Sequence, residues 1–323
     1  IGAAHIDSPR LDFKQNPIYE ADELGFLKTH YYGGIRKYQW VTIPLELHGV
    51  IVLKDGSTVK VAIGAGAGDP VFTVDDLLPH LAAEQSKRPL GEAIPGESLN
   101  LLVGSRPFKD DEGSERVKLA LLDILNQKYG IVEEDFISAE LSAVPAFRAS
   151  DIGFDRSLIG AYGHDDRVCG YACLAALFAL GTPRRTAVCM LADKEEIGSE
   201  GVSGMKSAAF DTFMSDLCDT QHLPLKVCYE HSFCLSADVC AAFDPNFPEA
   251  FEKRNSALVN YGMSFCKYTG SRGKSGASDA SAEVVAYVRR TLDAAGVVWQ
   301  MAELGKVDQG GGGTVALYMA NRN

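Results

Sequence analysis

From about residue 155 onward, short apolar runs alternate with longer segments whose apolar residues recur at helical spacing. The pattern predicts, in order, helix Val168–Leu180, strand Thr186–Ala192, helix Ser203–Cys218, strand Phe233–Ala237, helix Ala280–Ala295 and strand Val297–Ala302. Such alternation is typical of an α/β fold with a mostly parallel sheet covered on both faces. Ligands of such sheets bind beyond the carboxyl ends of the strands.

The first half of the chain has a different pattern, and residues 1–10 form the end of one strand and a turn. The block that follows predicts a hairpin of Ile43–Leu53 and Thr58–Ile63, a helix around His80, a loop Pro89–Gly113, helix Ser114–Tyr129 ended by Gly130, and strand Phe136–Val144. We therefore expect one α/β domain, residues 1–11 and 154–323, with a β-rich domain, residues 12–153, inserted into it.

The composition argues against some classes of partner and location but does not identify the function. The 323 residues are 46% hydrophobic and carry a net charge of −12, which argues against nucleic acid as a partner. The longest apolar stretch, Cys169–Leu180, is too short to span a membrane. The eight cysteines form no Cys-x-x-Cys pair and lie in apolar runs, which indicates reduced thiols and a cytoplasmic protein.

The candidate chemistry starts with Glu195 and Glu196 in Ala-Asp-Lys-Glu-Glu-Ile-Gly-Ser, directly after a predicted buried strand. An exposed acidic turn is the plain alternative. Burial of adjacent carboxylates is costly, because each loses its hydration and the two repel. A divalent cation would remove the conflict by binding one carboxylate and leaving the other to accept a proton.

Three further segments carry side chains that could bind or support the same metal ion. His5 and Asp7 lie two positions apart at the end of the first strand, so Asp7 can support the imidazole. Asp165 and Asp166 precede a helix, and the residues alone leave open which of them caps it and which binds a ligand. Asp238 follows the strand Phe233–Ala237. One histidine with several carboxylates suits zinc, manganese or cobalt, and so many acids favour two ions.

Two loops complete the candidate site, one rich in glycine and one carrying basic residues. The run Gly310–Gly313 lacks the lysine of a phosphate-binding loop, and its glycines, Gly312 and Gly313 included, allow close approach of backbone to a substrate. The loop Ser271–Ser275 offers Lys274 to an acidic substrate, the alternative being a solvated basic loop.

Taken together, Ala-His-Ile-Asp-Ser-Pro-Arg, His-Asp-Asp-Arg, Asp-Lys-Glu-Glu-Ile-Gly-Ser and Ser-Ala-Asp-Val resemble the aspartyl aminopeptidase family of co-catalytic zinc metallopeptidases. The resemblance implies a three-layer α/β/α peptidase domain, an inserted dimerisation domain, and a dodecamer. It further implies that His5, Asp165 and Asp238 hold one zinc and that Asp165 bridges to a second zinc on Glu196. Glu195 would be the general base and Asp7 the support of His5. A metal-bound water activated by Glu195 would then release the N-terminal residue of peptides.

Two departures from the family pattern qualify this expectation. Relatives have a segment before the His-x-Asp strand and a further metal-binding histidine beyond the glycine-rich turn, so we expect this chain to be part of a longer one. Acid-specific relatives carry histidines in the stretch that corresponds to residues 239–246, where this chain has Ala241 and Asp244. The alternatives are a two-metal deacylase of small N-acyl compounds and a catalytically silent structural or cargo protein.

Overall fold

The computed structural model describes residues 1–109 and 112–322, which form two compact units. The first unit comprises Ile1–Ser8 and Gly163–Asn323, and the second comprises Pro9–Tyr162. Residues 9–11 and 154–162, which the sequence analysis assigned to the α/β domain, belong to the second unit. That this inserted unit serves oligomerisation stays a prediction.

The two units together contain thirteen strands and seven α-helices among the described residues. The strands are β1 (Gly2–His5), β2 (Arg10–Ala21), β3 (Leu24–Tyr32), β4 (Leu45–Val52), β5 (Thr58–Ile63), β6 (Leu101–Gly104), β7 (Ala139–Pro145), β8 (Ser150–Ile152), β9 (Leu158–Gly160), β10 (Cys189–Ala192), β11 (Leu235–Ser236), β12 (Met263–Phe265) and β13 (Trp299–Met301). The helices are α1 (Leu90–Ala93), α2 (Arg116–Tyr129), α3 (His164–Ala179), α4 (Ala209–Asp219), α5 (Leu225–Glu230), α6 (Ala282–Ala294) and α7 (Val315–Ala320). None of the helices in the described part of the chain is long and apolar enough to cross a membrane.

The second unit is built on a six-stranded antiparallel sheet in the order β5-β4-β7-β2-β3-β6. The predicted hairpin is confirmed, since β4 pairs with β5 from Leu47–Ile63 to Val52–Thr58. Gly56 turns the hairpin with a φ of 85°, a value that favours glycine. Fully buried side chains such as Leu11, Leu45 and Ile51 form the core beneath the sheet.

The predicted helix before Gly130 is also confirmed, as α2. At its start, the backbone N–H groups of Val117 and Lys118 donate to Glu20 Oε2 at 2.8 and 2.9 Å, which places a carboxylate at the positive end of the helix. At its end, Gly130 adopts a left-handed φ of 72° and its N–H donates to the Asn126 carbonyl.

The first unit contains two small parallel sheets. In the first, β1 lies between β10 and β11, and in the second β12 pairs with β13. The pairing in these two sheets is parallel, as expected for the α/β domain, but they are short and do not form one continuous central sheet; the largest sheet among the described residues is the antiparallel one of the second unit. The chain has a mixed α/β fold in which parallel pairing is found in the short strands of the first unit.

Small residues let helices pack closely against β1. A Cβ on Gly2 would lie 3.4 Å from Cys173 Sγ on α3, so this face of the strand has room only for glycine or a very small side chain. Ala3 points the other way and packs in a core with Met205, Phe210 and Val315. Helices thus contact β1 from both sides, which fixes the end of the strand where His5 lies.

The predicted helix around His80 is wrong, because residues 79–81 form a turn. Leu77, Leu78 and Leu81 are 52%, 52% and 65% exposed, so no buried apolar face supports a helix there. The predicted loop Pro89–Gly113 is also incomplete, since it contains α1 and the edge strand β6.

Candidate metal centre

The candidate site lies at the carboxyl ends of the three strands of the first parallel sheet. His5 is the last residue of β1 and pairs with Ala192 at the end of β10. On the other side of β1, the Ala237 N–H donates to the Ala3 carbonyl at 2.7 Å and so places Asp238 just past β11. The segments carrying Glu195, Glu196 and Asp238 therefore leave the sheet at the same edge.

His5 is the centre of the cluster, with 1% of its surface exposed. Its Nδ1 lies 3.1 Å from the Asp7 carbonyl oxygen and 3.3 Å from Asp7 Oδ1, so this nitrogen carries the proton and donates. Its Nε2 lies 3.0 Å from Asp165 Oδ1 and 3.9 Å from both Glu195 Oε2 and Asp238 Oδ1. With Nδ1 fixed as a donor, loss of the proton on Nε2 would present the Nε2 lone pair to a metal ion.

Asp7 connects the imidazole to the two glutamates. Its Oδ1 accepts the Glu195 N–H at 3.1 Å, and its Oδ2 accepts the Glu196 N–H at 3.2 Å. Both glutamates belong to the 3₁₀ turn Glu195–Ile197, which lies between Lys194 and Gly198 in left-handed conformations. Asp7 thus fixes the turn that carries Glu195 and Glu196 relative to His5.

The cluster contains two overlapping groups of side chains whose spacing could hold a metal ion. His5, Asp165 and Glu196 form one group, and His5, Asp166 and Asp238 form the other; within each group, the ligand atoms lie within 4.8 Å of one another. Ser8, which is 2% exposed, donates its hydroxyl to the Asp165 carbonyl at 3.0 Å and holds the backbone of that residue.

The electrostatics of the cluster favour a bound cation. Burial, followed by repulsion from neighbouring carboxylates, raises the pKa of Glu196 and of Asp238 to about 7. Burial likewise raises the pKa of Glu195 and of Asp166. Burial alone would lower the pKa of His5, but hydrogen bonds to Asp165 and Asp7, together with the charges of Asp238 and Glu195, outweigh it and raise the pKa to about 11. His5, Glu196 and Asp238 therefore hold protons that a divalent ion would displace.

An unpartnered oxygen supports the same interpretation. Asp166 is fully buried, its Oδ2 accepts the His5 N–H at 3.3 Å, and its Oδ1 has no hydrogen-bond partner among the described residues. Buried polar atoms in native proteins are normally satisfied, so this oxygen has a place for a partner that the described residues do not supply, such as an ion or a water molecule. An imidazole with several carboxylates is a suitable donor set for zinc.

Four of the candidate ligands border a cavity of about 1490 Å³ within the first unit: His5, Asp165, Glu196 and Asp238. Lys274, Gly312 and Gly313 line the same cavity. Lys274 is engaged within the unit, since its Nζ lies 3.0 Å from Asp279 Oδ2 and 3.9 Å from the centre of the Tyr268 ring. Gly313 leaves no room for a side chain, because an added Cβ would lie 2.4 Å from the Gly276 carbonyl oxygen. A Cβ added to Gly312 would have no neighbouring atom within 4 Å.

The structure brings His5, Asp7 and the acids at 165, 195, 196 and 238 together, and their individual roles stay predictions. Sequence reasoning did not identify Ser8 as part of the site and left Asp166 as an alternative to Asp165. A buried serine following the His-x-Asp pair carries no distinct signal of its own in one sequence. Adjacent aspartates at a helix start look alike until the backbone conformation separates them.

Comparison with known proteins gives one family. A family model described as aminopeptidase I zinc metalloprotease (M18) matches residues 1–322. A probable M18 family aminopeptidase 1 from Clostridium acetobutylicum is 54% identical over 321 residues, which cover 98% of this chain and 69% of that protein. A probable M18 family aminopeptidase 1 from Thermotoga maritima is 48% identical over 324 residues, which cover 99% of this chain and 71% of that protein.

Solved structures agree with this family. The M18 aminopeptidase of Thermotoga maritima has a TM-score of 0.95 at 46% identity and is matched over 99% of this chain and 72% of that one. Aminopeptidase I of Clostridium acetobutylicum has a TM-score of 0.93 at 51% identity, with coverages of 99% and 70%. The predicted resemblance and the predicted enzyme class, a metal-dependent aminopeptidase, are confirmed. The chain belongs to the aminopeptidase I zinc metalloprotease (M18) family.

Proposed function

We propose that the protein is a two-metal aminopeptidase that releases the N-terminal residue of peptides. The observation that carries this proposal is the convergence of one buried, oriented imidazole and several carboxylates, most of them partly or fully buried, at the ends of three parallel strands, beside a cavity. Family membership supports the peptidase activity and zinc as the metal. The number of ions, and manganese or cobalt as substitutes, are part of the proposal.

Each acid has a distinct role in this proposal. His5, Asp165 and Asp238 would hold one zinc, and Asp165 and Glu196 would hold a second. Zinc at these positions would polarise the scissile carbonyl and lower the pKa of the attacking water. Glu195 lies within the cluster without belonging to either ligand group, and burial raises its pKa towards the range that suits a general base. It would take the proton of the attacking water and pass it to the leaving amine.

One buried carboxylate holds the Glu195 backbone in place. The Asp7 carboxylate accepts the Glu195 N–H and also contacts His5, so the base and the first metal ligand share one buried support. Lys274, Gly312 and Gly313 line the cavity beside them, and we propose that they contact the substrate. Gly312 and Gly313 would let the peptide backbone approach closely, and Lys274 would leave Asp279 to face an acidic side chain.

The proposal extends to assembly and architecture. A solved structure described as an mApe1 dodecamer from S. cerevisiae has a TM-score of 0.72 at 21% identity and shares the fold. We propose a three-layer α/β/α peptidase domain around the short parallel sheets and self-association through the inserted unit into dimers and a dodecamer. We also propose a cytoplasmic location.

The test compares Glu195→Gln with Glu196→Gln on chromogenic aminoacyl substrates, with bound zinc measured in the same preparations. Glu195→Gln is expected to lower kcat by about 10²–10⁴-fold, the usual contribution of a general base, while zinc content stays at the wild-type value. Glu196→Gln is expected to lose zinc as well as rate, because it removes a ligand.

Retention of more than about a tenth of wild-type activity by Glu195→Gln would exclude Glu195 as the base, given the usual contribution of such groups. N-acetylated substrates serve as the matched control for reaction class. Hydrolysis of these, with no release from free N-termini, would replace the aminopeptidase by the deacylase. Wild-type protein that holds zinc but acts on neither substrate would indicate the silent structural protein.

A further inference from the structure

Asp166 differs in its surroundings from the other acids of the two candidate ligand groups. It is 0% exposed, although the adjacent Asp165 has a side chain that is 55% exposed. Its Oδ1 has no hydrogen-bond partner among the residues that the structure describes. A buried carboxylate oxygen without a partner costs stability, so its retention calls for a compensating interaction.

The other oxygen of Asp166 holds the backbone of the central histidine. Asp166 Oδ2 accepts the His5 N–H at 3.3 Å, while Asp7 holds the same residue through Nδ1 of the ring. The two aspartates therefore fix His5 from two directions, one at the main chain and one at the side chain. A small rotation of His5 would move Nε2 away from the position it shares with Asp165 and Asp238.

The charge of Asp166 is directed towards one side of the cluster. One of its oxygens, one from Asp238 and a ring nitrogen of His5 lie within 4.8 Å of one another. The two carboxylates thus repel each other across the space next to His5, and a cation placed there would be attracted by both.

We propose that Asp166 is a positioning residue of the metal centre: it holds the His5 main chain and supplies a buried negative charge to the ion next to Asp238, without binding that ion directly. This inference rests on the proposed zinc site and deepens it. Residues that orient metal ligands in this way usually contribute about 10–100-fold to metal affinity.

The test uses two variants with different losses. Asp166→Asn keeps an oxygen that can accept the His5 N–H and removes only the charge, whereas Asp166→Ala removes both. Asp216→Asn, on the exposed face of α4, is the matched control. Zinc affinity is measured by calorimetry on metal-free protein, thermal unfolding is measured without metal, and the cobalt-substituted proteins are compared by visible absorption.

Asp166→Asn is expected to bind zinc about 10–100-fold more weakly, with a metal-free unfolding temperature equal to or above wild type. Its cobalt spectrum should match wild type, because no ligand is lost. Asp166→Ala should bind zinc more weakly still and unfold at a lower temperature.

Three results would overturn the inference. Zinc affinity of Asp166→Asn within about threefold of wild type would exclude a charge contribution of the size expected for such residues. A changed cobalt spectrum would make Asp166 a ligand, and identical behaviour of the Ala and Asn variants would remove the positioning role. The wild-type measurement is separate: absence of zinc binding there would refute the proposed function itself.

Discussion

Replacing Asp7 by Asn tests whether the site is held together by a single buried carboxylate. Asp7 accepts two backbone N–H groups, from Glu195 and Glu196, and its side chain is fully buried, so water cannot substitute for a lost bond. An Asn side chain has one carbonyl oxygen to accept one N–H, and its amide group faces the other donor. The loss of one hydrogen bond to a charged acceptor costs about 1.5–3 kcal/mol.

The two tryptophans make this prediction measurable, because Trp299 belongs to the first unit and Trp40 to the second. In a Trp40→Phe background, urea unfolding followed by Trp299 fluorescence reports on the unit that holds the site. Asp7→Asn should lower the free energy of unfolding by about 1.5–3 kcal/mol, and Asp216→Asn should leave it within about 0.5 kcal/mol. A change for Asp7→Asn no larger than that of the control would refute the reasoning.

Three further predictions follow from the site. At Glu196, Asp238 and His5 the folded metal-free protein holds protons that the unfolded chain has released, so the stability of the metal-free protein falls as pH rises from about 4 to about 11. Because zinc displaces those protons, it should raise the unfolding temperature more at about pH 7.5 than at about pH 5.5. A zinc-induced increase in unfolding temperature that becomes smaller as pH rises would contradict this prediction. Gly313→Ala should destabilise the first unit by about 1–3 kcal/mol, because the added Cβ would clash with the Gly276 carbonyl oxygen. Gly312→Ala is the matched control, since its Cβ would have no atom within 4 Å. Equal unfolding midpoints of the two variants, followed by Trp299 fluorescence, would contradict the packing argument. Lys274→Ala should lower kcat/KM for Asp and Glu substrates by about tenfold and leave Leu substrates unchanged, and an equal loss on all substrates would remove Lys274 from acid recognition.

Much of the candidate site could be predicted from the sequence because His5 ends one strand, and the segments with Glu195, Glu196 and Asp238 follow two others, of the same parallel sheet; Asp165 lies instead at the start of α3. The order of strands was not needed, since all parallel strands end at one edge. What the sequence could not supply was the distinction between Asp165 and Asp166. Both are polar, adjacent and equally suited to a helix start, yet one side chain is half exposed and the other is fully buried.

The fold was predicted less completely, and the long strand β2 shows why. Its register against β3 shifts between Phe13 and Ile18, so the alternation of inward and outward residues is interrupted in the middle of the strand. A pattern search for continuous alternation misses such a strand. The strand β12 is three residues long and pairs in parallel with β13, so its formation depends on a distant partner and not on a local signal.

The same acids that make the site chemically capable also oppose its folding. Burial raises the pKa of Glu195, Glu196, Asp166 and Asp238, which means that the anionic form of each carboxyl group is less stable in the folded protein than in water. The backbone nevertheless holds them close to one another, through Asp7 at the 3₁₀ turn and through the parallel strands at Asp238. Zinc bound at the proposed site would stabilise only the arrangement that brings these acids together, so metal binding would contribute to the folding free energy as well as to catalysis. The proposed site thus explains why the metal-free cluster holds its acids in an unfavourable arrangement.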